Sequence, residues 1–71
     1  MPTPSLDLNK VMLALGKTVR ELRLEKGMTQ EQLALGAGVH RSYIGLIERG
    51  QRNPRWGVVR RISRQLGVSP P

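Results

Sequence analysis

The apolar residues near the start of the chain recur at intervals of four or three positions, which is typical of one face of a helix. This stripe consists of Leu8, Met12, Leu15, Val19 and Leu22. Gly16 interrupts the stripe at a cost of about 1 kcal/mol relative to alanine. The pattern therefore predicts either one long helix or a short helix that leads into a second. Asp7 or Ser5 is expected to cap its start, and Gly27 to end it.

Two shorter helical patterns follow. Thr29 and Gln32 have the spacing of a capping box, which predicts a helix start at this point. Gly36 and Gly38 are expected to end that helix, and the next is expected to begin near His40 or Arg41, to run to Arg49 and to end at Gly50. Its inward residues are expected to be Ile44 and Ile47, with Tyr43 or Leu46 at the margin.

The last pattern comes after a polar loop, Gln51–Pro54. A helix is predicted from about Arg55 to Gly67, since Pro54 disfavours helix at the preceding residue. Its apolar stripe is Trp56, Val59, Ile62 and Leu66, which places Trp56 in the core. The chain is thus divided into an N-terminal arm (1–7), a helical domain (8–68) and a short tail (69–71).

The stretch Gly36–Ala37–Gly38–Val39 joins the second and third patterns through a very tight turn. Ala37 allows the two backbones to approach closely, Gly38 can adopt a positive φ, and Val39 is expected to turn inward. Two short helices joined in this way form a helix-turn-helix. The fold class predicted is all-α, a small bundle of four helices, or five if the first stripe is broken.

The distribution of charge indicates a polyanionic partner. The net charge is +7, and residues 41–71 contain seven arginines against a single acidic residue, Glu48. Arginine binds phosphate and guanine through paired hydrogen bonds, so nucleic acid is favoured over a merely solvated basic surface. The chain has no cysteine and a single histidine, so no metal or other cofactor is expected. It also offers no constellation of catalytic groups, and an enzyme is not expected.

The chain has neither a long apolar run nor the basic start and apolar block of a signal peptide. A cytoplasmic protein without membrane association is therefore expected.

The order and spacing of the motifs resemble the phage-repressor-type (Cro/Xre) family of helix-turn-helix proteins over residues 15–68. The matching residues are Thr29-Gln30-Glu31-Gln32-Leu33-Ala34, Gly38-Val39, Ile44, Glu48-Arg49-Gly50, Pro54 and Leu66-Gly67-Val68. The resemblance implies a lambda-repressor-like bundle, usually of five helices, that binds operator DNA as a dimer. Here the chain stops where the fifth helix would begin, so Leu8, Val11 and Met12 are hypothesised to contribute to packing or pairing instead.

The resemblance also assigns candidate roles to individual residues. The outward positions of the recognition helix, expected to read bases, are Arg41, Ser42, Gly45 and Leu46. Candidate phosphate contacts are Gln30, His40, Tyr43, Arg49, Gln51, Arg52, Asn53 and Arg55. Arg23 and Glu48 match two positions that often form a partly buried ion pair. Arg41 could instead contact only phosphate, and Leu46 and Tyr43 could instead pack in the fold.

The predicted function is that of a sequence-specific regulator of transcription, a repressor or autoregulator, which binds double-stranded DNA as a homodimer. It would read the major groove with the helix at 40–49. Two alternatives remain open. One is an antitoxin-type or other protein-interaction module, with a partner such as a toxin, that also binds DNA. The other is a binder of nucleic acid that uses only its charge.

Overall fold

A computed structural model describes residues 7–69 of the chain, and these form four α-helices. The helices are α1 (Leu8–Glu25), α2 (Gln30–Ala37), α3 (Arg41–Glu48) and α4 (Trp56–Leu66). The prediction of an all-α bundle with four helices is confirmed. The proposed arm and tail fall largely on residues 1–6 and 70–71, which lie outside the described part of the chain, as does the proposed capping role of Ser5.

The first stripe forms one continuous helix rather than two. Asp7 caps it, accepting hydrogen bonds from the backbone N–H groups of Asn9 and Lys10 at 3.1 and 3.3 Å. Gly27 follows its end with φ +67°. Gly16 does not break the helix, and it lies where α1 crosses the end of α3. A Cβ at this position would overlap the carbonyl oxygen of Ile47. The glycine therefore permits a close approach between the two helices.

The capping box at the start of α2 is present as predicted. The N–H of Gln32 donates to the Thr29 hydroxyl at 3.0 Å, and the N–H of Thr29 donates to the Gln32 side chain at 2.8 Å. The helix runs through Gly36 and ends at Ala37, which is fully buried. Gly38 then adopts φ +68°, so the tight turn before α3 has the glycine conformation that was predicted.

The core lies between the four helices and is formed by eight buried apolar side chains. They are Val19, Leu33, Ala34, Ala37, Ile44, Ile47, Ile62 and Leu66. Val39 packs against this core, as predicted for a residue that turns inward after Gly38. Burial of the six valine, leucine and isoleucine side chains contributes about 1.5–3 kcal/mol each, which makes this cluster the main source of stability.

The prediction that Trp56 belongs to the core is wrong. Trp56 is 54% exposed, whereas Val58, two positions later in α4, is partly buried against the core. Leu8, the first member of the α1 stripe, is likewise 61% exposed. Both residues are the first of their helix, so each stands at an end where the neighbouring helices do not reach.

An apolar groove of about 590 Å³ runs between α1 and α4. Val11 and Leu15 lie on its α1 side, and Val59 and Leu66 on its α4 side. Of the N-terminal residues hypothesised to pack or pair, Leu8 and Val11 are exposed and Met12 is half-buried. Within residues 7–69, no helix combines the length and the apolar character needed to cross a membrane.

Candidate nucleic-acid interface

The end of α3 is fixed to α1 by a bidentate ion pair. Arg23 donates from Nε to Oε2 of Glu48 at 2.7 Å and from Nη2 to Oε1 at 3.0 Å. The two side chains are only 9% and 3% exposed. Arg23 also donates from Nη1 to the carbonyl oxygen of Met28 at 2.8 Å, so its remaining donor face is occupied as well. The pair holds α3 in one position relative to the rest of the bundle.

Glu48 remains ionised in this environment. Burial alone would raise its pKa, but the hydrogen bonds from Arg23 and Gln30 outweigh that effect and hold the pKa below its ordinary value. The same carboxylate raises the pKa of Arg23 further above its already high value. A charged, fully hydrogen-bonded pair therefore connects α1, α2 and α3.

Gln30 belongs to the same network. As the first residue of α2, it donates from Nε2 to Oε1 of Glu48 at 3.1 Å. A carboxylate can only accept hydrogen bonds, so the NH₂ group of the Gln30 side chain must face Glu48 and the side-chain carbonyl oxygen must face away. The orientation of the side chain is thereby determined.

The first turn of α3 is capped by His40. Its Nδ1 accepts a hydrogen bond from the N–H of Ser42 at 3.1 Å and lies 2.8 Å from the Ser42 hydroxyl. Because Nδ1 acts as an acceptor, the proton of the neutral ring is placed on Nε2. Arg41 and Ser42 are both exposed on this turn, whereas Leu46, one turn later, is half-buried.

The loop after α3 forms a second cluster of predicted residues. Tyr43, Arg52, Asn53 and Arg55 together line a small polar hollow. The guanidinium of Arg52 lies over the Tyr43 ring, with its carbon 5.8 Å from the ring centre, within the range of a cation–π contact. Three of these side chains are exposed and Tyr43 is half-buried. The loop thus presents exposed cationic groups beside α3.

Arg49 and Gln51 lie between the end of α3 and the loop that follows it. Nε of Arg49 donates to Oε1 of Gln51 at 3.3 Å, and both side chains are exposed. Gly45, predicted to face outward, is in fact buried. A Cβ there would lie 3.2 Å from Nη1 of Arg49 and 3.8 Å from the side chain of Gln30, so polar side chains cover the glycine from outside.

Sequence reasoning missed two residues that position this surface. Gly16 allows α1 to approach the end of α3, as described above. Arg61 donates from Nε to the carbonyl oxygen of Ala37 at 2.8 Å and so connects α4 to the end of α2. Neither contact has a local sequence signal, since each partner is more than twenty positions away.

A known protein family matches most of this chain. The model of the helix-turn-helix family matches residues 19–71, which is most of the chain. The chain belongs to the Cro/C1-type helix-turn-helix family. In this helix-turn-helix protein, α2 and α3 form the motif, with Gly38 at the turn. The resemblance inferred from the sequence is confirmed, and members of this family are DNA-binding regulators.

Individual relatives agree with the family assignment. The helix-turn-helix protein is 46% identical over 63 residues to the control protein C.BamHI of Bacillus amyloliquefaciens, covering 87% of this chain and 78% of that protein. Its fold is similar to the restriction-modification controller protein C.AhdI of Aeromonas hydrophila, with a TM-score of 0.83 and 39% identity over 86% of this chain and 92% of the other.

A third similarity is to a variant of the controller protein C.Esp1396I bound to its highest-affinity operator site. The TM-score is 0.77 and the identity 37%, over 83% of this chain and 78% of that one. Both the sequence and the fold of the helix-turn-helix protein are therefore similar to those of transcriptional controllers.

Proposed function

We propose that this protein is a sequence-specific regulator of transcription that reads the major groove of double-stranded DNA with α3. The observation that carries the proposal is the position of α3. The C-terminal end of α3 is held against α1 and α2 by the hydrogen bonds among Arg23, Glu48 and Gln30. Exposed arginines lie on its first turn and on the loop that follows it. Residues 8–68 are taken as the DNA-binding unit.

Arg41 is the proposed reader of a guanine. It lies in the first turn of α3, the part of a recognition helix that enters the major groove. Its guanidinium can donate two hydrogen bonds to N7 and O6 of guanine. Ser42 and Leu46 flank it on the same helix and are proposed to contact neighbouring base edges, Leu46 with less of its side chain because it is half-buried.

The backbone of the DNA is proposed to lie along the loop after α3. Arg52, Asn53 and Arg55 already lie together there, and Tyr43 holds the Arg52 guanidinium through its ring. Gln51 adds an exposed polar group to the same loop. Such contacts fix the register of a protein on DNA without selecting a sequence.

Two further phosphate contacts are proposed near the helix starts. Nε2 of His40 carries the ring proton in the neutral form, because Nδ1 caps α3, and can therefore donate to a phosphate oxygen. Gln30 lies at the start of α2, where the backbone N–H groups also favour an anion. The His40 contact would orient α3 on the DNA. A phosphate contact by Gln30 would do the same and can also brace a base-reading side chain.

The protein is proposed to bind its operator as a homodimer, and the half-sites would then lie about one helical turn apart, roughly 34 Å. The similarity to C.BamHI, C.AhdI and operator-bound C.Esp1396I supports a small controller of this kind, acting as a repressor or autoregulator in the cytoplasm. It also favours a regulator over the antitoxin-type alternative.

The test is selection from a randomised pool of double-stranded DNA at physiological salt, with sequencing of the retained molecules. An enriched inverted repeat is the expected result. Arg41→Ala should then lose preference at one base pair of each half-site while it remains folded. Retention without enrichment, together with a steep loss of binding as salt is raised, would instead identify a charge-driven binder.

A further inference from the structure

Gly45, which the sequence placed on the outward face of α3, is buried beneath two polar side chains. The nearest atom to a Cβ at this position would be Nη1 of Arg49 at 3.2 Å, followed by Nε2 and Oε1 of Gln30, both at 3.8 Å. The space that a side chain at position 45 would occupy is thus filled from one side by the next turn of the chain and from the other by α2.

Arg49 reaches this position because it follows Gly45 by four residues and so lies on the same helix face. Side chains on a helix lean toward its N-terminus, which directs the Arg49 guanidinium back over Gly45. The hydrogen bond from Nε to Gln51 supports this arrangement at 3.3 Å. Among residues 7–69 Arg49 has no acidic partner within salt-bridge distance, and its side chain is exposed.

Gln30 supplies the complementary group. Its amide nitrogen is engaged by Glu48 at 3.1 Å, so its carbonyl oxygen is left as an acceptor beside Gly45. Hydrogen-bond donors from a guanidinium and an acceptor from a fixed amide therefore converge on one spot of the surface. The major-groove edge of a G·C pair presents the matching groups, which are the acceptors N7 and O6 on guanine and the donor N4–H on cytosine.

We propose that Arg49 and Gln30 together read one G·C base pair, Arg49 donating to the guanine and Gln30 accepting from the cytosine. Gly45 takes part because it has no side chain, which leaves room for the Arg49 and Gln30 side chains. This inference rests on the proposed function, and it moves both Arg49 and Gln30 from the phosphate contacts, where the sequence placed them, to the base-reading residues.

Arg49 and Arg41 would read different base pairs. Eight residues separate them, which is about 12 Å along a helix axis, or about three to four base pairs at 3.4 Å each. The two arginines would therefore specify two separate positions in each half-site, with Gly45 between them.

The experiment compares the base preferences of wild type and variants after selection from the randomised pool. Arg49→Lys keeps the charge but loses the planar, paired donors. It should lower discrimination at one G·C pair of each half-site by about 5- to 100-fold and leave the other positions unchanged. Gln30→Ala should weaken the preference at the same base pair. Gly45→Ala should do so to a smaller extent, because its added Cβ would lie 3.2 Å from Nη1 of Arg49 and shift that group by only a few tenths of an ångström. Arg55→Ala is the matched control, since loss of a phosphate contact weakens binding to all sequences alike.

Each outcome separates this inference from the proposed function. If wild type enriches an operator but Arg49→Lys and Arg49→Ala keep every base preference, Arg49 contacts only the backbone and the inference is overturned. If the Arg49 and Gln30 variants lose preference at different base pairs, the two residues do not read one base pair together, and the inference is overturned. A wild type that enriches no sequence overturns the proposed function itself.

Discussion

Removing the Glu48 carboxylate should destabilise the protein severely. In Glu48→Ala the guanidinium of Arg23, whose side chain is 9% exposed, would stay buried without its counter-ion, and Gln30 would lose its acceptor. Breaking a buried ion pair in this way costs about 3–5 kcal/mol. A domain of 71 residues is expected to have a total stability of only about 4–11 kcal/mol, so the substitution removes a large part of it.

The assay is thermal unfolding followed by the far-ultraviolet circular dichroism of the helices. At about 4–8 °C per kcal/mol for a domain of this size, the midpoint should fall by at least about 12 °C. Glu21→Ala is the matched control, because the Glu21–Lys17 pair is exposed and its atoms are 3.9 Å apart. Exposed ion pairs of this kind contribute little to stability, so the unfolding midpoint of the control should change by no more than about 4 °C.

A double substitution distinguishes loss of the pair from burial of a lone charge. Replacing Arg23 and Glu48 together by leucine leaves no unpaired charge, and this variant should be more stable than either single substitution. The reasoning is refuted if Glu48→Ala melts within about 2 °C of wild type. It is also contradicted if that variant keeps its midpoint but no longer binds DNA, since the loss of binding is expected to follow from the loss of fold.

Two further predictions concern pH and packing. Because the pKa of Glu48 lies below its ordinary value of 4.5, its stabilisation is complete above that value and is lost as the pH falls through the lowered pKa. The midpoint of Glu48→Gln should therefore vary less with acid than that of wild type, and equal slopes would contradict this. Gly16→Ala should lower the free energy of unfolding by about 1–3 kcal/mol, because the new methyl group overlaps the carbonyl oxygen of Ile47. Gly57→Ala, whose Cβ makes only an ordinary contact, should raise stability by about 0.5–1 kcal/mol, and similar effects of the two substitutions in urea unfolding would argue against the close approach of α1 and α3.

Local chemistry allowed most helix boundaries to be predicted from the sequence. The Thr29–Gln32 capping box, Asp7 as a cap and the positive φ of Gly38 and Gly67 all depend on residues within a few positions of one another. Hydrophobic periodicity located the buried face of each helix, since a side chain every three or four residues returns to the same side.

Periodicity could not show how far a neighbouring helix extends. Trp56 and Leu8 fit their stripes but lie at helix starts beyond the packed region, and both are exposed. The sequence also could not show which side chains cover Gly45, because one of them, Gln30, belongs to another helix. Arg61 contacts an atom of α2 that lies 24 positions earlier in the chain. Such relations arise only when the helices are assembled.

Because Trp56 is exposed, its fluorescence can report on binding at the protein surface. It is the only tryptophan, and its indole is already more than half exposed to water in the folded state. Unfolding therefore changes the surroundings of the indole little, and its emission is a poor measure of stability. Trp56 directly follows Arg55, so a ligand bound at the loop after α3 would lie near this residue. Quenching or a blue shift of the emission would then report occupancy of that surface without any attached dye.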